Sequence, residues 1–362
     1  MKRKIFFLFA VVALVILAAL WFMGCGKVAE GPTTTTTSTS LGTSTTTTTT
    51  TTTTTIPPGE VWYKSGNADF NVLGGHSSVV SSFSPDRMWV IGGITTGFKL
   101  RDDVYYSYDG ISWEAANTAP EFGGLMFHGN VVFNDNLWLI AGRTVWNPET
   151  ATNEVWYSSN GVNWTSATAE AAFPPVFSPT ALVFNDQMWL LGGNLTSSTM
   201  TNEVWYSSNG VTWSNKDTYP KFTPVSAHSS VVFNNKMWVI AGRTGGEGAN
   251  PVLTTEVWYS DTGKAWTLEA VAPFTARQYH TSLVYDNKMW VIGGMDDSLD
   301  SLGDVWYTSD GSSWTQATAS AEFPAVAAHS SVVFDNKMWV IGGANDYAGD
   351  VITNEVWYSP GP

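Results

Sequence analysis

The sequence is poor in cysteine, in charged residues and in basic residues. Its single cysteine, Cys25, excludes an internal disulfide framework and a cysteine-based zinc site. Charged residues make up 13% of the 362, about half of the ~25% usual in globular domains. Lys and Arg number 17 against 31 Asp and Glu, a net charge of −14. This acidic balance argues against nucleic acid as a partner and against electrostatic docking on anionic lipid.

Helical periodicity and catalytic signatures are also missing. No segment repeats its apolar residues with a convincing 3.6-residue period, which favours an all-β fold. There is no phosphate-binding glycine loop, no His-Glu-x-x-His pattern and no nucleophile motif. The sequence therefore predicts no cofactor, and it leaves open whether the protein is an enzyme.

The first 25 residues have the pattern of an export signal. Lys2, Arg3 and Lys4 precede an apolar run over residues 5–23, and Gly24 and Cys25 follow it. Residues 22–25, Phe-Met-Gly-Cys, resemble the lipobox of bacterial lipoproteins, in which the cysteine is acylated and becomes the N-terminus. That resemblance implies lipidation at Cys25, and an uncleaved transmembrane anchor or a cleaved soluble form are the alternatives. All three place the rest of the chain outside the cytoplasm, and the first two hold it at the cell envelope or surface of a bacterium.

Threonine dominates the next segment, residues 26–58. From 33 to 55 the chain is almost entirely threonine, and Leu41 is the one apolar residue that could be buried. Such a segment cannot offset its ordering entropy by burial, so we expect a disordered tether between the anchor and the remaining chain.

Residues 59–362 form one module repeated six times. A Gly-Gly or Ala-Gly pair follows an apolar run at spacings of 49, 51, 49, 52 and 49 residues, with first members Gly92, Ala141, Gly192, Ala241, Gly293 and Gly342. Each repeat contains four short apolar segments separated by turn residues such as Asn234 and Asn235, which predicts a four-stranded sheet. Six such sheets arranged in a ring form a β-propeller.

The register of the tryptophans predicts how the ring closes. A tryptophan lies 14 or 15 residues before each new repeat, and a phenylalanine follows it by eight or nine residues. Trp62 and Phe70 fit this spacing before His76. Residues 59–62 are therefore predicted to be the outer strand of a last blade whose other three strands come from the C-terminus.

The repeat resembles the Kelch motif. His-Ser-Ser-Val-Val-Phe at 329–334, Met-Trp-Val-Ile-Gly-Gly at 338–343 and the spaced aromatic residues that follow carry the likeness, which recurs over residues 59–359. The resemblance implies a six-bladed propeller in which the final tryptophan of each repeat packs between blades. Seventeen of the 19 tryptophans occupy repeated positions, and outside the export segment only Trp146 does not.

All five histidines share one repeat position, at the start of the first strand: His76, His128, His228, His280 and His329. Pro179 stands there in the third repeat. A ring of imidazoles could bind a metal or an anion. Sixfold spacing would hold the rings apart, however, and Kelch repeats often have a histidine there that bonds to neighbouring backbone. We therefore predict no metal site.

The loops that follow the glycine pairs are the predicted binding surface. They share a face with the histidines, and they are longer in the second, fourth and sixth repeats. Arginine forks and carboxylates beside aromatic rings suit a polar ligand such as a sugar or a peptide. The predicted ligand-binding residues are Arg101, Arg143, Trp146, Arg243, Glu247 and Arg277.

Two functions remain from the sequence. The first is a surface-tethered propeller that binds a protein or a glycan through its long-loop face. The alternative is a carbohydrate-modifying enzyme of the Kelch-type sialic acid mutarotase kind, although no catalytic residue of that family can be assigned to a position in this chain.

Overall fold

The computed structural model describes residues 35–37, 50–52, 56–71, 73–145, 150–217, 219, 221–247, 250–345 and 351–362. The chain divides into two compact units, Met1–Thr54 and Thr55–Pro362. In the first unit β1 (Thr35–Thr37) pairs antiparallel with β2 (Thr50–Thr52). Cys25 and the export segment lie outside the described residues, so lipidation and the tether stay predictions. No helix in the described part of the chain is long and apolar enough to cross a bilayer.

The second unit consists of six four-stranded antiparallel sheets, one for each repeat, which confirms the predicted propeller. We call the sheets blades one to six. Blade one contains β4 (Ser77–Ser81), β5 (Arg87–Ile91), β8 (Val104–Ser107) and β9 (Glu114–Asn117); blade two β10 (Gly129–Phe133), β11 (Asn136–Val145), β12 (Thr150–Ser158) and β13 (Thr165–Thr168); blade three β14 (Thr180–Phe184), β15 (Gln187–Leu191), β18 (Val204–Ser207) and β19 (Ser214–Asn215). Blade four contains β20 (Ser229–Phe233), β21 (Lys236–Glu247), β22 (Asn250–Ser260) and β23 (Thr267–Val271); blade five β24 (Thr281–Tyr285), β25 (Lys288–Ile292), β26 (Val305–Thr308) and β27 (Thr315–Thr318); blade six β28 (Ser330–Phe334), β29 (Lys337–Ala344), β30 (Ile352–Pro360) and β3 (Tyr63–Asn67). Two small hairpins, β6 (Ile94–Thr95) with β7 (Lys99–Leu100) and β16 (Asn194–Thr196) with β17 (Thr199–Met200), extend from blades one and three.

The first strands of neighbouring blades lie side by side in a closed ring around a central channel. Connections between second and third strands, and between blades, lie on one face of the propeller, which we call the long-loop face. The hairpins joining first to second and third to fourth strands lie on the opposite face, the turn face. The histidines begin or precede the first strands, so they lie towards the long-loop face.

The ring closes as predicted, with one correction in register. β3 completes blade six by pairing with β30, the strand that the C-terminus supplies. The outer strand begins at Tyr63, one residue after Trp62, and not at residues 59–62 as predicted. Trp62 is buried and meets Phe323 of blade five edge to face at 5.1 Å, while Phe70 meets Trp113 of blade one at 5.3 Å. The same phenylalanine-to-tryptophan contact joins the other blades, so closure uses the ordinary joint between blades.

Local backbone geometry explains the glycine pair. The first member has φ between 52° and 64° in all six repeats, a left-handed conformation that alanine tolerates at some cost, and Ala141 and Ala241 occur there. The second member has φ between 103° and 113°, a region open essentially to glycine alone. It is glycine in every repeat.

A second glycine locks neighbouring blades together. The turn between the third and fourth strands contains a glycine in a left-handed conformation. At Gly161, for example, φ is 74°. A Cβ at Gly161 would overlap the indole of Trp89, the second-strand tryptophan of the preceding blade. Equivalent overlaps occur at the other joints, so each second-strand tryptophan is packed directly against the turn of the next blade. Six apolar clusters, one for each pair of adjacent blades, make up the core.

Candidate functional site

Six equivalent residues surround the channel mouth on the long-loop face. Each immediately precedes the histidine position and has φ between 48° and 63°. The amide of each donates to the carbonyl of its counterpart in the preceding blade, at 2.8 to 3.2 Å, so that six hydrogen bonds close a circle. The circle, which we call the mouth ring, consists of Gly75, Phe127, Ser178, Ala227, Tyr279 and Ala328.

Two aromatic side chains of the mouth ring meet over the channel. Phe127 belongs to blade two and Tyr279 to blade five, three blades away and therefore on the opposite side of the axis. Their ring centroids lie 5.1 Å apart with the planes at 31°. A left-handed backbone is rare for bulky residues and persists where the surrounding structure imposes it, often at functional sites. The channel mouth therefore has an aromatic floor, formed by Phe127 and Tyr279, and both side chains are only half-buried.

The histidines lie directly beneath the mouth ring and link the blades. The Nε2 atom of each shares a hydrogen bond with a hydroxyl group at the first-strand position of the preceding blade, at 2.7 to 2.9 Å. The partner of Nε2 is thus a side-chain hydroxyl of the preceding blade, whereas the resemblance to Kelch repeats implied a bond to neighbouring backbone. The sixth link is missing on both sides at once, because Pro179 replaces the histidine and Gly129 replaces the hydroxyl. Because the imidazole and the hydroxyl are both absent at that joint, neither is left without its partner.

Burial keeps the histidines neutral. Desolvation lowers the pKa of His76 to about 4 and those of His128, His228 and His329 to about 3. Burial, with the nearby charge of Arg277, also holds the pKa of His280 well below its usual value. Among the described residues no three His, Cys, Asp or Glu side chains are grouped so as to hold a metal ion. The hydrogen bonds assign these histidines to the scaffold.

Two cavities lie along the channel axis. One, of about 120 Å³, is lined by the mouth ring and the histidine position. The other, of about 210 Å³, lies on the far side of the histidines and is lined by the first two residues of each first strand, which are mostly serine and threonine. With the histidines neutral, neither lining carries a charged side chain.

Three hairpins rise around the mouth on alternate blades. In blades two, four and six the second and third strands continue past the glycine pair, which accounts for the longer loops in the sequence. In blades one, three and five the corresponding strands end at the pair, and in blades one and three the short separate hairpins β6–β7 and β16–β17 follow it. Each tall hairpin carries an exposed valine near its tip: Val145, Val252 and Val351, exposed by 40%, 56% and 54%. The long-loop face is therefore uneven, with an aromatic floor between three raised walls.

Arg143 and Arg243 brace two of these hairpins. Each lies at a register shift of the ladder, where the guanidinium Nε donates to the carbonyl two residues later, Val145 at 3.1 Å and Gly245 at 3.0 Å. Arg143 also lies over the ring of Phe177, at 5.2 Å. The repeated Ala-Gly-Arg-Thr sequence is thus the signature of a braced bulge.

The remaining predicted binding residues are dispersed. Arg101 pairs with Asp103 on the rim of blade one. Arg277 is fully buried, forms a bidentate pair with Asp304 at 2.7 and 2.8 Å, and donates to the carbonyl of Gly293, so a ligand at the surface would not reach it. Glu247 ends β21, and Trp146 lies outside the described residues.

Phe127 and Tyr279 were missed by the sequence reasoning, although a signal exists. The residue before the histidine position is Gly, Ser or Ala in four repeats and aromatic in two. Those two repeats are three apart, which in a six-bladed ring means opposite one another. An aromatic pair at an otherwise small position, half a ring apart, would have identified the floor.

Comparison with known proteins agrees with this architecture. The model of the KLHDC2/KLHL20/DRC7 Kelch-repeats domain matches residues 178–359, half of the chain, from the mouth ring of blade three through blade six. The structure of YjhT is similar with a TM-score of 0.65 at 13% sequence identity, covering 80% of this chain and 95% of that one. Such an identity establishes a shared fold alone, and a search of curated proteins gives no match. By its repeats, its blades and the matched family model, this chain belongs to the Kelch-repeat family.

Proposed function

We propose that the propeller is a binding module whose long-loop face takes a protein or glycan ligand at the channel mouth. The observation that supports this most is the aromatic floor of Phe127 and Tyr279, 5.1 Å apart, between three raised hairpins. Aromatic side chains in a concave surface contribute large contact areas at low entropic cost. Half-buried rings held by a closed circle of backbone hydrogen bonds are already ordered before a ligand arrives.

The residues that surround the mouth indicate the chemistry of the ligand. The histidines under the floor are neutral, so the mouth offers neither a strong cation nor a strong anion from below. The exposed valines of the hairpins offer apolar contact from the sides. A ligand with both an apolar face and hydrogen-bonding groups suits this surface, as a pyranose sugar or a peptide with an aliphatic side chain does.

A matched set of variants tests the floor. Phe127→Ala and Tyr279→Ala should each fold, because alanine occupies the same mouth-ring position at Ala227 and Ala328. Binding to glycan and peptide arrays is measured first, followed by titration of any hit. We expect at least a tenfold loss of affinity in both variants, the size of removing one stacked ring. Ile111→Ala, on the turn face and 62% exposed, is the control. Equal affinity in all four proteins would refute binding at the mouth.

The enzymatic alternative has a separate readout. If the mouth catalyses a change in a sugar, as in the sialic acid mutarotase kind, then anomeric exchange followed by NMR on a sugar panel should accelerate with protein and fail in Tyr279→Ala. Binding of a sugar without faster anomeric exchange would support the binding module and refute the enzymatic alternative.

We also propose that the chain is exported and anchored through Cys25. The basic residues 2–4, the apolar run over residues 5–23 and the lipobox-like residues 22–25 support this. Incorporation of labelled palmitate that is lost in Cys25→Ser is the expected result, and unlabelled wild-type protein would refute lipidation.

A further inference from the structure

The turn face of blade one differs from that of the other blades. In blades two to six the first and second strands are joined by two-residue turns with left-handed φ, whereas in blade one five residues separate Ser81 from Arg87. The longer connection brings Phe83 against Trp89, with centroids 6.1 Å apart. Blade one also has Tyr108 just beyond its third strand, where blades two, three and five have serine. Tyr108 is 43% exposed.

Arg87 stands at the centre of these aromatic rings. Its guanidinium carbon lies 5.3 Å from the centroid of Trp89, 5.0 Å from that of Tyr106 and 5.1 Å from that of Tyr108. Contacts of this kind attract a cation to the ring faces and hold a planar guanidinium in one place. The side chain is therefore fixed before any ligand binds.

Arg87 lacks the acidic partner that its counterparts in blades five and six have. At the same strand position in blades five and six, Lys288 and Lys337 pair with the aspartates two residues earlier, at 2.8 and 2.7 Å. Two residues before Arg87 stands Pro85, which has no charge to offer. In the described part of the chain the side chain of Arg87 has neither an ion pair nor a hydrogen bond, and its Nε is buried without a partner.

Glu114, the carboxylate that contacts Tyr106, is already engaged. Glu114 accepts a hydrogen bond from the hydroxyl of Tyr106 at 2.5 Å, which directs this carboxylate to the phenol. The terminal nitrogens of Arg87 are thus left for an external acceptor. A guanidinium fork matches the two oxygens of a carboxylate, and such charge-assisted pairs are about twice as strong as neutral hydrogen bonds.

We propose that Arg87, Tyr106 and Tyr108 form a binding site for a carboxylated sugar of the uronic acid type. The fork of Arg87 receives the carboxylate, and the exposed ring of Tyr108 receives the apolar face of the pyranose. The guanidinium lies against the ring of Tyr108, so one residue of an acidic glycan bound across their exposed edges would contact both. The site lies on the turn face and does not depend on the ligand of the channel mouth.

Titration of the full chain with glucuronic acid, glucose and acetate tests the site, monitored by isothermal calorimetry and by the chemical shifts of the tyrosines. We expect glucuronic acid to bind more tightly than acetate, and glucose not to bind. Arg87→Lys keeps the charge but loses the fork, so glucuronic acid affinity should fall about tenfold or more. Tyr108→Ala should lower the affinity for glucuronic acid and leave the affinity for acetate unchanged.

Lys236→Met is the matched control. Lys236 holds the same strand position in blade four and lies over Tyr259 at 3.6 Å, yet Asp261 follows the third strand there in place of Tyr108. Affinity in this variant should equal that of the wild type. No binding of glucuronic acid to the wild type, or binding that Arg87→Lys leaves intact while thermal melting shows every variant folded, would overturn the proposal. Equal affinities for acetate and glucuronic acid would refute recognition of the sugar ring, and the site would then bind carboxylates in general.

Discussion

The turn glycines of this propeller are fixed by their neighbours as well as by their own backbone. At Gly210 φ is 73°, and a Cβ there would overlap the indole of Trp138 in the preceding blade. At Gly123 φ is 68°, but no atom lies within 4 Å of the position of a Cβ. A side chain at Gly123 would therefore meet only the cost of the left-handed backbone. A side chain at Gly210 would meet that cost and the cost of crowding against Trp138.

We therefore predict unequal effects of the same substitution. Gly123→Ala should lower the free energy of unfolding by about 1 kcal/mol, the usual size of a left-handed strain. Gly210→Ala should lower it by about 3 kcal/mol, because overpacking a rigid joint adds about 2 kcal/mol. Urea unfolding followed by tryptophan fluorescence measures both values. Equal losses would mean that Trp138 yields to the added methyl group.

At this scale the sequence predicted repeated residues well and exceptions poorly. The tryptophan positions follow from the repeat, and second-strand members such as Trp89 and Trp290 are buried in the joints between blades. Arg143, Arg243 and Arg277 were predicted to bind ligand because guanidinium forks and carboxylates beside aromatic rings suit a polar ligand. Their donors go instead to backbone carbonyls and to Asp304, partners that only folding brings near. Contacts of this kind leave no periodic trace in a sequence.

Among strands, the connection that leads into blade five depends on one buried ion pair. Arg277 is fully buried and binds both oxygens of Asp304, and the indole of Trp306 donates to the same carboxylate at 2.7 Å. In blade three the corresponding carboxylate, Glu203, receives the indole of Trp205 at 2.9 Å without an arginine. The comparison isolates the contribution of the buried charge.

Asp304→Asn should lower the free energy of unfolding by about 3 kcal/mol or more, since it leaves a buried guanidinium without its counter-charge. Glu203→Gln removes a similar indole acceptor and should cost about 1 kcal/mol or less. Thermal and urea unfolding of the two variants at neutral pH provide the comparison. Equal costs would show that Arg277 finds enough compensation in the carbonyls of Gly293 and Thr275.

Loop lengths predicted which blades carry longer connections, but not their form. The extra residues of blades two, four and six continue the ladder and raise hairpins, as in β21 and β22. Polar residues such as Thr144 and Asn250 give no strand signal by themselves. Pairing with the partner strand, which closes the backbone hydrogen bonds, overrides their weak local preference.

Closure of the ring is a property of the whole molecule that the sequence register did predict. The contact of Trp62 with Phe323 has the same edge-to-face geometry as that of Trp164 with Phe122 within the ring. Because each apolar cluster of the core is shared by two adjacent blades, an unclosed ring would leave β30 with an open edge and two joints incomplete.

Removal of residues 1–70 should therefore prevent a stable monomer, and removal of residues 1–55 should not. The longer deletion takes away β3, Trp62 and Phe70, while the shorter one ends before the propeller begins. Size-exclusion chromatography and thermal melting compare the two. A monodisperse product with an unchanged melting temperature after the longer deletion would contradict the closure.

The five buried histidines predict how the free energy of unfolding depends on pH. Burial holds the folded pKa values of four histidines at about 3 to 4 and that of His280 well below its usual value, against about 6.5 in the unfolded chain. The unfolded chain therefore binds protons first as pH falls, so stability should be constant above about pH 7.5 and decline below about pH 6.5. Each histidine can lose about 1.4 kcal/mol per pH unit, and five together approach the whole stability of a typical domain by about pH 5. Unfolding free energies measured from pH 8 to pH 5 should give a slope approaching five protons, and His228→Gln should reduce it by one. A flat profile over that range would mean that the folded and unfolded chains bind the same number of protons, and therefore that burial does not lower the pKa of these imidazoles.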